Sequence, residues 1–123
     1  MATVARDPAV VEHANEVRLV GRLSSDPAER ELPSGDVVIT FRLVVARDQV
    51  GRAGESRAPT VDTIECAAWT KGAQRSARSC RVGDLLEVNG ALRRRFWRAG
   101  TTTASRSEVE VVKVRRRVRA QDG

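Results

Sequence analysis

The segment DVVITFRLVVAR, at residues 36–47, constrains the fold most strongly, because apolar and largely β-branched residues recur in it with a period of two. Such alternation places successive side chains on opposite faces of an extended chain, and β-branched residues favour that conformation. One face collects the apolar residues Val37, Ile39, Phe41, Leu43 and Val45. The other face carries Thr40, Arg42 and Ala46. The segment therefore predicts a strand with one buried face.

Four other segments show the same period, and polar or glycine-containing stretches separate them. They are NEVRLVGRL (15–23), VDTIECAAW (61–69), LLEVNGALRRRFW (85–97) and SEVEVVKVRRRV (107–118). The residues 48–60 and 98–105 are interpreted as loops. Between the third and fourth strands, residues 71–81 have no strand pattern and indicate a short helix. Alternating strands also suit a sandwich, but a single helix at this point favours an all-β, five-stranded Greek-key barrel, the OB-fold.

The chain of 123 residues is long enough for one domain. We expect this domain at 15–118, after a flexible lead-in at 1–14 and before a short tail at 119–123. The N-terminus has no signal-peptide pattern, and no apolar run approaches the roughly 20 residues of a membrane span. A cytoplasmic protein without a membrane partner is the expectation.

Charge narrows the class of partner. The net charge is +6 and the pI about 10.8, which favours nucleic acid over membrane surfaces. Apart from Lys71 and Lys113 the basic residues are arginines, whose planar fork suits phosphates and bases. The cysteines, Cys66 and Cys80, lack metal-site spacing and indicate structural, reduced thiols. We therefore expect no metal and no cofactor, and an enzyme has little support, since the one histidine (His13) lies in the lead-in.

Alternation in the fourth strand separates two neighbouring aromatic residues. Phe96 falls on the side of the core positions Leu86, Val88 and Leu92, where it would cap the core. Trp97 falls on the opposite side with Arg93 and Arg95. Alternation in the third strand likewise places Trp69 on the face away from the core. Exposed tryptophans beside arginines suit base stacking and phosphate binding. Two alternatives remain open: a tryptophan near a strand end can fold over a barrel mouth, and an arginine run can be merely solvated.

Several segments together resemble the DNA-binding domain of bacterial single-stranded DNA-binding proteins. In order along the chain they are NEVRLVGRLSSDPAER, SGDVVITFRLVVAR, ECAAWTKGAQ, RVGDLLEVNGALRRRFW and SEVEVV. The resemblance covers roughly residues 15–115. It implies an OB-fold that usually assembles as a homotetramer, binds single-stranded DNA without sequence preference and has no catalytic activity.

The resemblance also implies roles for individual residues. Trp97 matches the family's stacking tryptophan, Arg93 and Arg95 match its basic companions, and Trp69 and Lys71 match a stacking aromatic and the basic residue after it. The remaining predicted nucleic-acid contacts are arginines of the first two strands and the following loop, namely Arg18, Arg22, Arg42 and Arg47.

Departures from the family pattern modify the expected role. Gln49 and Thr63 stand where well-studied members have tryptophan, which removes stacking platforms worth about 1–3 kcal/mol each. Arginines such as Arg47 and Arg52 would compensate in part. The family's usual Gly/Pro/Gln-rich tail with an acidic tip is not seen after VRRRVRAQDG. These departures predict an accessory paralogue.

Two functional hypotheses follow. The first is sequence-independent binding of single-stranded DNA in replication, recombination or repair. The second is an OB-fold protein-interaction subunit of a replication or primosome assembly, or of a mixed oligomer with a housekeeping paralogue, with weak or no DNA binding of its own.

Overall fold

The computed structural model describes residues 12–48 and 60–121 and contains strands and one helix in a single sheet system. The elements are β1 (Val17–Leu23), β2 (Ala28–Glu31), β3 (Val37–Ala46), β4 (Val61–Ala68), α1 (Lys71–Arg78), β5 (Leu85–Ala99) and β6 (Thr102–Val118). Most of the predicted lead-in and of the predicted loop at 48–60 lies outside the described residues, as does Gln49.

Five of the strands close a barrel. Their order is β1–β5–β6–β4–β3, and β1 returns to pair with β3. All pairings are antiparallel except that of β4 with β6, where Cys66 lies opposite Val109. The helix α1 lies between β4 and β5, the third and fourth strands of the barrel, so the predicted OB-fold is confirmed. Strand β2 was not predicted, because its four residues are all exposed and show no apolar alternation.

The core contains the residues that period two assigned to it in β3, β4 and the first part of β5. Phe41, Leu43, Cys66, Leu86 and Val88 are all buried in one cluster. The helix α1 closes this cluster with Ala73 and Ala77. On the same helix, the buried Gln74 side chain donates to the carbonyl oxygens of Val37 (2.8 Å) and Ala68 (3.1 Å), which fixes α1 against the start of β3 and the end of β4.

Strands β5 and β6 continue beyond the barrel as a two-stranded ribbon, residues 92–99 and 102–109. Apart from the pairing of Val109 with Cys66 at the base of the ribbon, each strand pairs only with the other, from Leu92 opposite Val109 to Ala99 opposite Thr102. The predicted loop at 98–105 is therefore wrong: a tight turn at Gly100, whose φ is +67°, joins two paired strands.

The predicted burial of Phe96 and Leu92 is also wrong. Their side of the strand is the core side, as alternation indicated, but the ribbon has left the barrel and no core lies beneath it. Phe96 is 67% exposed and Leu92 is 51% exposed.

A glycine lies at a register shift between the two long strands. The pairing of β5 with β6 shifts register between Asn89 and Gly90. A Cβ on Gly90 would lie 2.1 Å from the carbonyl oxygen of Glu110, far inside contact distance. This position therefore excludes any side chain, as is typical of a glycine at a register shift where another backbone approaches closely.

A buried carboxylate joins three parts of the chain at the end of the barrel that is opposite the ribbon. Asp84 is fully buried and accepts hydrogen bonds from the backbone N–H groups of Arg81 (2.9 Å) and Ala120 (2.7 Å). Arg116 lies 3.7 Å from the same carboxylate. Burial favours the neutral acid, but the two N–H donors and the nearby arginines outweigh it, and the pKa of Asp84 is lowered.

Candidate nucleic-acid interface

The outer face of β3, β4, β6 and the ribbon carries arginines that are each paired with a glutamate. Arg42 contacts Glu65 at 2.5 Å and Arg93 contacts Glu110 at 2.5 Å, and Arg95 is hydrogen-bonded to the buried Glu108. Arg42 lies directly opposite Glu65 in the strand register. Arg93 lies opposite Glu108, so the pairs of Arg93 with Glu110 and of Arg95 with Glu108 are diagonal. This face has many charged groups, but Arg42, Arg93 and Arg95 are balanced by three carboxylates.

Trp97 lies on the ribbon, on the same side as Arg93 and Arg95. It is 47% exposed, and the guanidinium of Arg106 lies 5.9 Å from the centre of its ring. The strand register explains this contact, since Arg106 is opposite Arg95 and diagonal to Trp97. The predicted outward position of Trp97 is thus the observed one, and its role in stacking remains a prediction.

Trp69 follows the last residue of β4 and is only half-buried. It lies outside the core cluster, as predicted, but the guanidinium of Arg95 covers its ring at 4.4 Å. Its Nε1–H group is buried and has no hydrogen-bond acceptor among the described residues, a state that costs about 1–3 kcal/mol. A base can stack on Trp69 only from the side that Arg95 leaves open, or by displacing Arg95.

The other predicted contact residues are spread over different parts of the surface. Lys71 is exposed and begins α1 two residues after Trp69, so it lies beside the outer face. Arg47, the residue after β3, pairs at 2.8 Å with Asp62, which lies opposite Val45 near the start of β4. Arg18 and Arg22 lie on the surface of β1 and β5, where Arg18 contacts Glu87 at 2.8 Å and Arg22 donates to the carbonyl of Gly83. The structure brings together the predicted residues Trp97, Arg95, Arg93, Arg42, Trp69 and Lys71.

Ion pairing lowers the pKa of the carboxyl groups that hold Arg18 and Arg47. The hydrogen bond from Arg18 is the main cause for Glu87, which Arg115 and Arg117 also approach at 3.7 Å. For Asp62 the main cause is the hydrogen bond from Arg47. These carboxylates therefore stay ionised, and keep their arginines paired, well into the acid range.

Releasing one arginine of the outer face is expected to strengthen the binding of a polyanion. In Glu110→Gln the charge of Arg93 is no longer balanced, so the affinity for oligo-dT should rise roughly threefold to eightfold at low salt and the salt slope should steepen by up to about 0.7. Fluorescence titration at several salt concentrations measures both quantities.

The matched control is Asp26→Asn. It makes the same change in net charge at an exposed carboxylate that accepts the Val82 N–H at the other end of the barrel, and the amide oxygen can keep that bond. Equal gains in the two variants would mean that only the net charge matters and would contradict the role of Arg93.

Sequence reasoning missed the second face of the ribbon. Arg94 donates to the hydroxyl groups of Ser105 (2.7 Å) and Ser107 (3.4 Å), and its guanidinium lies 5.9 Å from the centre of the Phe96 ring. Arg94, Phe96 and Leu92 together form an exposed apolar and basic surface on the face of the ribbon opposite Trp97. The length of β5, 15 residues against the 7 of its barrel neighbour β1, is the signal that could have indicated a ribbon without a core beneath it.

The cysteines have the structural character that the sequence indicates. Cys66 and Cys80 are free and buried. Burial, with smaller contributions from Glu65 and Glu108, raises the pKa of Cys66 to about 12, which keeps its thiol protonated and unreactive at neutral pH. Within residues 12–48 and 60–121, no cluster of three or more His, Cys, Asp or Glu residues is arranged to hold a metal ion. In the same part of the chain, no helix has the length and apolar character needed to cross a bilayer.

Comparison with solved structures identifies the same architecture. A Plasmodium falciparum SSB in complex with single-stranded DNA superposes with a TM-score of 0.72 over 87% of this chain and 97% of that one. The two sequences are 20% identical, so the likeness concerns the fold.

Comparison with sequences identifies the family. Single-stranded DNA-binding protein A of Bacillus subtilis is 41% identical over 81 residues, which are 66% of this chain and 45% of that protein. Single-stranded DNA-binding protein 2 of Listeria innocua is 40% identical over 66% of this chain and 49% of that protein. The chain therefore matches about half the length of these relatives. The model of the Single-strand binding protein family matches residues 14–118, and the chain belongs to this family.

Proposed function

We propose that the protein binds single-stranded DNA without sequence preference and without catalysing a reaction on it. The observation that carries the proposal is the continuous surface from Trp97, along Arg95, to Trp69 on the outside of an OB-fold barrel. Aromatic rings beside basic groups bind bases by stacking, which is tolerant of sequence, and bind phosphates by charge. The names of the relatives support the same ligand.

Stacking is expected to supply more of the binding free energy than the number of arginines suggests. Each of Arg42, Arg93 and Arg95 already has a carboxylate partner, so a phosphate must compete with that partner. The predicted contacts Arg18, Arg22 and Arg47 are also engaged within the chain. Charge then guides the strand to the surface, and the exposed indole retains it there.

Titration with oligo-dT tests the proposal. Binding should quench the tryptophan fluorescence, and the affinity should fall as salt rises. The slope of log K against log salt should stay well below about 4, the magnitude that six fully available arginines would give for a single strand. Absence of quenching at low salt would refute the proposal, while a slope near 4 would refute the competition by carboxylates.

A second candidate function is a protein-interaction subunit, and the exposed Leu92 and Phe96 on the other face of the ribbon favour it. In that case the protein would co-purify with a replication protein or a paralogue and would not quench with oligo-dT. The accessory role and the homotetramer expected from the resemblance belong to the proposal as well, and the solution mass measured during the titration tests the assembly.

A further inference from the structure

A groove of about 930 Å³ lies beside α1, between this helix, the start of β3 and the end of β4. Its walls include residues of all three elements and of the turn before β3, namely Gly35, Asp36, Val37, Trp69, Lys71, Gln74, Arg75, Arg78 and Ser79. The side chain of Gln74 fixes the helix to both strands through the carbonyl groups of Val37 and Ala68, so the groove is built into the fold. Neither Arg75 nor Arg78 was among the residues predicted from sequence to bind nucleic acid.

Three basic residues of α1 follow one another along this groove. Lys71, Arg75 and Arg78 are spaced four and three positions apart, which places them on one face of a helix. Among the described residues Lys71 and Arg75 have no carboxylate partner, in contrast to the paired arginines of the outer face. Arg78 contacts Glu29 at 3.3 Å, and both side chains are about half exposed, so this pair is weak.

The stability of the helix accounts for only some of these charges. Arg75 and Arg78 lie in the last turn, where cations interact favourably with the helix dipole. Lys71 lies in the first turn, where a cation is unfavourable, and this turn contains no acidic residue. A negatively charged ligand in the groove explains Lys71 as well as the two arginines.

The groove joins the outer face at Trp69. The indole is one of its walls, and the guanidinium of Arg95, which belongs to the ribbon, lies over the same ring. The Nε1–H of Trp69 is buried without an acceptor among the described residues, and a phosphate or base oxygen that enters beside the ring can provide one. Asp36 is the one carboxylate among the lining residues, and its Oδ2 accepts a hydrogen bond from the Ser34 hydroxyl.

We propose that a DNA single strand bound on the ribbon passes Trp69 and continues into this groove, where Lys71, Arg75 and Arg78 bind its phosphates. The inference rests on the proposed function and extends its binding surface to α1. A strand fits better than an acidic peptide because the groove begins at the aromatic and basic surface of the ribbon without interruption. Among the described residues Lys71 and Arg75, which have no carboxylate partner, lie in this groove.

The test compares two double variants. The groove variant carries Arg75→Gln and Arg78→Gln, and the control variant carries Lys113→Gln and Arg119→Gln. Both lower the net charge by the same amount, but Lys113 and Arg119 are exposed on or just after β6, away from the groove. Each is titrated with oligo-dT of about 5 and about 16 nucleotides, which span the site sizes known for an OB-fold. Circular dichroism verifies that both variants are folded.

With the long oligonucleotide the groove variant should bind about tenfold more weakly at low salt than the control variant, and its salt slope should be smaller by up to about 1.4. With the short one, which the ribbon and Trp69 accommodate, the two variants should bind alike. Equal binding of the long oligonucleotide by both variants would overturn the groove but leave the proposed function intact. Absence of quenching in the unmodified protein would overturn both.

A labelled acidic peptide of ten glutamates serves as the competing ligand. If it binds the unmodified protein, fails to bind the groove variant and does not compete with oligo-dT, the groove is a peptide site and the inference is wrong. Competition between the peptide and the long oligonucleotide, but not the short one, would support it.

Discussion

Trp97→Ala is expected to weaken the binding of oligo-dT roughly fivefold to 150-fold, since stacking one base on an exposed aromatic ring is worth about 1–3 kcal/mol. Trp97 is the more exposed of the chain's two tryptophans, and Arg95 already covers one face of Trp69. The ribbon holds Trp97 away from the core, so the substitution removes a ligand contact without leaving a cavity. Fluorescence anisotropy of a labelled oligonucleotide measures the loss, because the variant has one tryptophan fewer to report quenching.

Phe96→Ala is the matched control for Trp97→Ala. It removes the neighbouring aromatic side chain from the opposite face of the same ribbon, where Phe96 is 67% exposed. The variant should fold with a free energy of unfolding within about 0.5 kcal/mol of the unmodified protein and should bind oligo-dT nearly as well. Unchanged binding by Trp97→Ala would contradict its role, and equal losses in both variants would mean that the strand contacts both faces.

Asp84→Asn is expected to lower the free energy of unfolding by roughly 2–4 kcal/mol, as measured by urea denaturation. Both carboxylate oxygens accept backbone N–H groups, those of Arg81 and Ala120, inside a fully buried site. Asparagine offers one acceptor and one NH₂ group, so one buried N–H group would lose its partner and face another donor. Arg116 would lose its charge partner as well.

The effect of Asp84→Asn should depend on pH. The pKa of Asp84 in the folded protein is lowered, so its stabilisation is fully present above the unfolded pKa of about 3.9 and is lost as the pH falls through the folded value. The difference between the two proteins should therefore shrink below about pH 4. Asp26→Asn, at an exposed carboxylate that also accepts a backbone N–H, should change the stability by less than about 1 kcal/mol. A difference that grows in acid would contradict this account.

Period two in the sequence, together with the one helical segment that lacks it, was sufficient to predict the barrel. In β3 the side chains of Ile39, Phe41 and Leu43 are buried in the core as the alternation indicates, and the stretch without alternation before β5 is the helix α1. A short-range pattern succeeds here because alternation along a strand decides on which side each residue lies, and β3 is covered by the core along its length. The same rule correctly turned Trp97 toward solvent.

The rest of the site depends on contacts between distant parts of the chain. Alternation gives the side of β5 on which Phe96 lies. Where the barrel ends along β5 depends instead on the neighbouring strands, because β1 pairs with β5 and β4 pairs with β6 only over part of their length. Phe96 is exposed because it lies beyond those pairings. The glutamates that neutralise Arg42, Arg93 and Arg95 lie on neighbouring strands, 13 to 23 positions away in sequence. Their pairing follows from strand register, which the pattern of a single strand does not contain.

The ribbon of β5 and β6 also has a mechanical consequence. Beyond Leu92 its two strands form backbone pairs only with each other, and an isolated two-stranded hairpin is marginally stable in water. The ribbon can therefore bend and open locally while the barrel stays closed. A nucleic acid strand that stacks on the ribbon would order it, and the entropy lost in that ordering would offset part of the free energy of stacking. Stiffening the hairpin in its bound shape would raise affinity without adding a single contact.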